Sequence, residues 1–452
     1  MHPWVGAGPE DRRHILSELG LKSIDDLFAS IPAGVCVDGL DLPPAKDESW
    51  IRRTLGEMAS TNVAMDSTPC FLGAGVYRHV QPSVVDAVLS RAEFFTSYTP
   101  YQPEISQGTL QVIFEFQTLI SRLTGLDVAN ASLYDGATAL VEAVLFSHRV
   151  LRGKRELVVV AETIHPMYRR VLDTYTRAAG IEVAVVSPGT DGRLDPDTIR
   201  KVAGDRACCV AIQSPNFLGI IEDLPQLATA AHDCGALAVE VVTEAVSLGL
   251  LTGGGSFGFD VVCGEAQSFG VAPGFGGPHL GFFTCSPKHL RQMPGRLAGE
   301  TVDEDGARAF CLTLSTREQH IRRAKATSNI CTNQGLMALA ATVWLEAMGG
   351  SGLRELASSC LARTEELKRR IAAIGDPWRI AYPHSPTFNE FLLVGPASGI
   401  ELVEQLASEG VLAGVPTTDW GGSWPDGLLV AVTERNSAED LDAFVAALET
   451  LS

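Results

Sequence analysis

Short apolar runs and helical stripes alternate through the middle of this chain, and its fold class follows from that alternation. Residues 157–161 read Leu-Val-Val-Val-Ala, and comparable runs occupy 207–212, 236–242, 261–263 and 281–284, with a further strand at 182–186. Between them lie segments of helical period. Over 108–123, Ile113, Phe116, Ile120 and Leu123 share one stripe, and Gly125 stands just past its end. A helix over 166–179 begins with Pro166 and stops at Gly180. Another spans 224–234 before Gly235, and small residues near Gly136 open one that runs to Val150. Strands apolar on both faces and separated by helices predict an α/β fold. Its parallel or mixed sheet is covered on both sides, and ligands sit at the carboxyl ends of the strands.

The pattern changes toward both ends. Residues 10–19, 24–28 and 48–60 read as helices, with Ser23 as an N-cap and a connector rich in Asp, Gly and Pro at 37–46. Near the other end, helical segments 334–348 and 352–374 lead into strands 391–394 and 428–432. Helices over 400–408 and 438–448 accompany them, the last behind Ser437. The expected organisation is a helical N-terminal arm (1–70), a large α/β domain (71–325) and a smaller C-terminal α+β domain (326–452).

Composition narrows the function. A net charge of −19 argues against a nucleic-acid partner. With no uninterrupted apolar run of about 18 residues, no membrane span is expected. Met1-His2-Pro3-Trp4 lacks the basic-then-apolar pattern of a secretion signal, so a cytoplasmic protein is expected. The 10 cysteines form no CxxC pair and read as reduced, mostly buried thiols. The 10 histidines show no metal-ligand spacing, so no metal is expected.

The segment 264–281, Gly-Glu-Ala-Gln-Ser-Phe-Gly-Val-Ala-Pro-Gly-Phe-Gly-Gly-Pro-His-Leu-Gly, has the shape of a cofactor loop from an enzyme using pyridoxal phosphate. In such enzymes a lysine near the start of the loop forms a Schiff base. Here that position is Gln267, and an amide cannot do so. None of the lysines (22, 46, 154, 201, 288, 325 and 368) follows a short strand and precedes a glycine-rich turn. Three neighbouring features each carry two readings. Gly136 and Thr138 open a helix whose free N–H groups attract a phosphate, or Asp135 is simply its N-cap. His165 stacks on a pyridine ring, or is a turn residue before Pro166. Glu244 pairs with a pyridine nitrogen, or is an acid at a helix start. Gly253-Gly254-Gly255 lacks a phosphate-loop pattern and reads as a flexible turn.

Residues 98–108, Tyr-Thr-Pro-Tyr-Gln-Pro-Glu-Ile-Ser-Gln-Gly, are polar, aromatic and stiffened by two prolines. Hydroxyls and amides suit a carboxylate, and Glu104 suits an ammonium or a proton, so the loop fits a small zwitterion. The alternative is a structural loop capping nearby backbone. Arg296, Arg308, Arg317, Arg322, Arg323 and Lys325 read mostly as surface charges, with 317–323 as an alternative interface.

Together these segments resemble one family closely: subunit 1 (alpha) of the two-subunit glycine dehydrogenase (decarboxylating), the P-protein of the glycine cleavage system. The matching stretches are 11–13, 23–28, 71–75, 98–108, 131–139, 215–219, 291–296, 300–303, 327–332 and 388–391. The resemblance implies a pyridoxal-phosphate-dependent transferase fold of type I, similar to aspartate aminotransferase. It implies a cofactor-free alpha chain beside a beta subunit (subunit 2) that binds pyridoxal phosphate covalently. Gly136, Thr138, His165, Glu244 and Gln267 would then line a vestigial pocket, with Glu244 standing where the relatives are expected to have Asp. Tyr98, Tyr101, Gln102, Glu104 and Gln107 are carried over as residues offered to a shared active site. The implied activity joins glycine to the cofactor, releases CO2 and passes the aminomethyl group to the lipoyl arm of H-protein. A heterotetramer of two alphas and two betas is the family expectation. The competing reading is a structural or regulatory pseudoenzyme that only stabilises its partner.

Overall fold

The computed structural model describes residues 6–37 and 39–452. The reading of residues 1–4 as free of a secretion signal, and one residue of the 37–46 connector, lie outside them. The chain forms two compact units, Met1–Val63 and Ala64–Ser452, dividing a little before the boundary expected at 70.

In the first unit, helices span Pro9–Glu18 and Glu48–Ala59, and a 3-10 turn spans Ile24–Phe28. Ser23 holds the N-cap position of that turn, but Asp26 does the capping. Its carboxylate accepts from the N–H groups of Lys22 (2.7 Å) and Ser23 (2.9 Å). No described side chain of this unit is buried.

The second unit holds every strand among the described residues: β1 (Val128–Ala129), β2 (Leu157–Ala161), β3 (Glu182–Val186), β4 (Ala207–Gln213), β5 (Leu237–Val242), β6 (Val261–Glu265), β7 (Gly281–Cys285), β8 (Leu297–Val302), β9 (Arg308–Thr313), β10 (Arg379–Ile380), β11 (Glu390–Val394), β12 (Val415–Pro416) and β13 (Leu428–Ala431). The first seven make one sheet in the order β1-β7-β6-β5-β4-β2-β3. Strands β3, β2, β4, β5 and β6 run parallel, and β7 and β1 join antiparallel. Every residue of β2, β4, β5 and β6 is buried, as their unbroken apolar runs require of a sheet covered on both faces. Helices Gly136–Val150, Pro166–Ala179 and Leu224–Asp233 lie close to their expected spans.

A second, antiparallel sheet, β10-β11-β13-β12, packs with helices Gly399–Ser408 and Ala438–Thr450 around Phe71, Trp378, Phe391 and Phe444. Helix Gly335–Ile374 links the two cores. Ala341 and Trp344 lie in the first, and Leu367 and Ile371 in the second. It is long and apolar enough in composition to cross a membrane, but it turns out of helical geometry at Gly349 (φ +61°) and buries its apolar stripe in protein.

Two local expectations are corrected. Gly253–Gly255 is not a flexible turn. A Cβ at Gly253 would lie 2.7 Å from the Leu123 carbonyl, so the glycines allow close backbone contact. The charged stretch after Arg296 is not merely surface, because it contains the hairpin β8–β9, whose Ala298 and Phe310 are buried.

The two sheets meet at the turn containing Gly219. Its φ is +80°, and a Cβ there would overlap the Glu390 carbonyl at the start of β11. Gly219→Ala is expected to destabilise the chain by about 3 kcal/mol, because it combines an unfavourable φ with a clash against backbone. Chemical denaturation checks this; an unchanged midpoint would show that the turn relaxes.

Candidate functional site

The strands that end beside one another, β2, β4, β5 and β6, bring His165, Glu244 and Gln267 together, as the topology predicts. Across them runs a strap, residues 74–79, and each of the three is hydrogen-bonded to it. His165 Nε2 lies 2.8 Å from the Ala74 carbonyl oxygen. Gln267 Oε1 accepts from Tyr77 N–H (3.1 Å), and its amide donates to the Tyr77 carbonyl (3.2 Å) and to Val271. Glu244 Oε2 lies 3.0 Å from His79 Nε2 and accepts from Asn389 Nδ2 (3.3 Å). The strap is held from its other side by Glu390, which accepts from Ala74 N–H (2.7 Å) and the Tyr77 hydroxyl (3.0 Å).

Electrostatics separate the two histidines. Burial lowers the pKa of His165 to about 4, so its ring is neutral. Nδ1 accepts from Met167 N–H (3.1 Å), which leaves Nε2–H to donate to Ala74. His165 therefore caps the helix Pro166–Ala179, with the rings of Tyr168, Phe217 and Trp420 around it. Burial also opposes a charge on His79. The Glu244 carboxylate outweighs it, with the bonds to Cys360, Glu244 and Glu434, and holds the pKa well above its ordinary value. His79 is thus an imidazolium between two carboxylates, with Glu434 Oε2 2.8 Å from Nδ1. The Cys360 thiol donates to the same Glu434 oxygen (3.3 Å). These three bring metal-ligating atoms within 4.8 Å of one another, and hydrogen bonds account for each of them.

The helix start at Gly136 is also in use. Its N–H donates to Glu265 Oε2 (3.0 Å), whose other oxygen accepts from Gln267 and Leu280 N–H. Thr138 N–H donates to Asp135 (2.7 Å), so Asp135 is the N-cap. A Cβ on Gly136 would overlap the buried Tyr168 hydroxyl. A carboxyl group of this chain thus stands where a phosphate would bind, and the groups that would contact the ring are bonded to the strap. The residues present do not fit pyridoxal phosphate.

The residues of the 98–107 loop form a separate group; among the described residues no hydrogen bond joins them to the pocket. Tyr98 is 82% exposed, and its ring lies 6.4 Å from that of Tyr101. It borders a cleft of about 210 Å³ with Thr332 and Asn333. Gln102 and Glu104 are exposed, and their side chains make no hydrogen bond among the described residues. Gln107 is spent internally: Nε2 donates to the carbonyls of Pro103 (2.7 Å) and Phe310 (2.9 Å), and Oε1 accepts from Phe310 N–H. The residue missed in the sequence is Arg296. Charge alone placed it on the surface, yet it is only 6% exposed and donates to the Tyr101 hydroxyl.

A family profile described as "Glycine cleavage system P-protein" matches residues 2–448. "Probable glycine dehydrogenase (decarboxylating) subunit 1" of Xanthobacter autotrophicus is 49% identical over 444 residues, covering 98% of each chain. The protein of the same name from Azorhizobium caulinodans is 50% identical over 444 residues, also covering 98% of each. A solved structure titled glycine decarboxylase (P-protein) of the glycine cleavage system, in inhibitor-bound form, superposes with TM-score 0.90 at 41% identity, covering 99% of this chain and 100% of that one. A NifS-like protein, at 13% identity and TM-score 0.64, shares the fold. The architecture is therefore that of the pyridoxal-phosphate-dependent transferases of fold type I.

Gln267→Lys alone is expected to gain no covalent pyridoxal phosphate, because the strap and Glu265 still fill the pocket. Incubation with the cofactor, borohydride reduction and intact mass check this; an adduct on residue 267 would show that the pocket opens. Glu390 supplies a pH prediction. Burial raises its pKa from 4.5 to about 7, against the bonds from Ala74 and Tyr77. The native state therefore binds this proton more tightly than the unfolded chain does. Its stabilisation is present below pH 4.5 and is lost as pH rises through about 7. Glu390→Gln should flatten that part of the stability profile, read as denaturation midpoints across the window; a variant profile parallel to that of the parent would refute the assignment.

Proposed function

The chain belongs to the glycine cleavage system P-protein family, and from that premise we propose that it is the alpha subunit of a glycine-decarboxylating complex, offering side chains to an active site whose pyridoxal phosphate a second subunit holds. The cofactor, where bound, supplies an electron sink for the carbon that loses CO2. What carries the reading is a contrast: this chain's own pocket is filled by its own groups, while the 98–107 loop presents Tyr98, Gln102 and Glu104 outward.

On this reading the tyrosine hydroxyls and the Gln102 amide orient the carboxylate of glycine, and Glu104 faces its ammonium or holds a proton. Two prolines limit the motion of the loop, so little entropy is lost when substrate and partner close on it. The partners are the beta subunit and the lipoylated H-protein that receives the aminomethyl group. Assembly is as two alphas and two betas, in the cytoplasm. The pseudoenzyme alternative draws on the same filled pocket and on the internal use of Gln107. It differs in predicting that the loop is chemically silent.

Glu104→Gln separates the two. Exchange of CO2 with the glycine carboxyl by the assembled complex is expected to fall by about tenfold or more, with assembly by size-exclusion chromatography intact. Unchanged exchange would favour the pseudoenzyme.

A further inference from the structure

We propose that Arg296 is a positioning residue for the shared active site, fixing the Tyr101 phenol and the 331–333 segment in one arrangement. This rests on the reading that the 98–107 loop faces the substrate.

Arg296 precedes β8, and its carbonyl accepts from Ala131 N–H (2.9 Å). Its guanidinium lies under the loop. Nη2 donates to the Tyr101 hydroxyl (2.9 Å) and to the Cys331 carbonyl (2.6 Å), and Nη1 reaches Asn333 Oδ1 at 3.5 Å. The guanidinium carbon is 5.3 Å from the Tyr101 ring centroid, and Nε is 3.5 Å from Glu318 Oε2. Asn333 continues the chain of bonds to Ser132 Oγ (3.2 Å) and the Ala131 carbonyl (3.3 Å). One planar fork therefore ties three segments together: the loop at Tyr101, the 331–333 stretch, and the 131–132 stretch that leads to Gly136.

A second tie comes from the same hairpin. Gln107 is bonded in both directions to Phe310 of β9. The loop is thus held at Tyr101 by Arg296 and at its helix junction by β9, leaving Gln102 and Glu104 between two anchors. A buried guanidinium is costly unless its donors are used. Here Nη2 is shared between the Cys331 carbonyl and the hydroxyl of a half-exposed tyrosine, while the buried Nε makes no hydrogen bond among the described residues. That choice adds little to core packing and much to the placement of one phenol. Lysine has no planar fork and lacks the second nitrogen that reaches Asn333 while Nη2 holds the phenol and the Cys331 carbonyl.

The experiment uses the assembled two-subunit enzyme carrying Arg296→Lys, Tyr101→Phe and both together. The readouts are kcat and KM for glycine, complex mass and thermal midpoint. Each single variant is expected to lower kcat/KM by about tenfold, chiefly through KM. The double variant should be no worse than the poorer single one, since both remove the same link. Losses that multiply in the double variant would overturn the inference. So would unchanged kcat/KM in Arg296→Lys, or a lowered thermal midpoint with unchanged KM, which marks a structural arginine. Where Arg296→Lys fails to assemble, Arg296→Gln takes its place in the cycle. If Tyr101→Phe and Glu104→Gln both turn over normally, the substrate-facing reading of the loop has failed, and this inference with it. If those two impair turnover but Arg296→Lys does not, only the role of Arg296 falls.

Discussion

Much of this structure depends on how buried polar groups at the strand ends are satisfied. A fold that gathers His165, Glu244, Glu265 and Gln267 at the carboxyl ends of parallel strands collects donors and acceptors that water cannot reach. An unpaired buried group costs roughly 1–3 kcal/mol, and a buried charge costs more. In an enzyme of this architecture a cofactor would take up those bonds. Here the strap does so, through a backbone carbonyl for His165, a reciprocal pair at Tyr77 for Gln267, and an imidazolium for Glu244. Glu390 fastens the strap, and the small sheet that carries Glu390 is tied to the large one at Gly219.

The helix start at Gly136 follows the same logic. Free N–H groups at a helix N-terminus favour a negative charge. The Glu265 carboxyl, whose pKa burial raises, accepts from one of them within the chain and also fixes the backbone at Gln267 and Leu280. The groups at the strand ends and at the helix start are thus both engaged by bonds from within the chain.

The fold was largely legible in the sequence because its strands are buried on both faces, and such strands announce themselves as unbroken apolar runs. The gathering of His165, Glu244 and Gln267 at the strand ends was legible too, since each follows a strand at a fixed place in the topology. The strap was not. Residues 74–79 contain no periodic pattern, and their role comes from partners far away in the chain, such as Glu390 and Glu434. Arg296 was hidden for a related reason: charge predicts exposure, and only tertiary contact shows that a guanidinium is roofed by a tyrosine. The hairpin β8–β9 was masked by acids and arginines that sit on its exposed side, while Ala298 and Phe310 turn inward. In the loop, the residue types were readable but their division of labour was not. Gln102 and Gln107 are alike in sequence, yet one faces out and the other is stitched to β9.

A chain whose own pocket is closed must do any chemistry at its surface, and surface groups are poor catalysts unless held still and drawn out of water. The 98–107 loop meets the first need alone: prolines stiffen it, and Arg296 and Phe310 anchor it. It cannot meet the second. Tyr98 is exposed, and so are Phe95 and Ile105, at 68% and 81%. Apolar surface of that kind beside polar groups is what a partner subunit buries on docking. The same step would remove water from around Glu104, strengthening its pull on an ammonium as the local dielectric falls. On the proposed reading, the loop would be inert in the isolated chain and effective only when covered, which is the physical sense in which an active site can be divided between two chains.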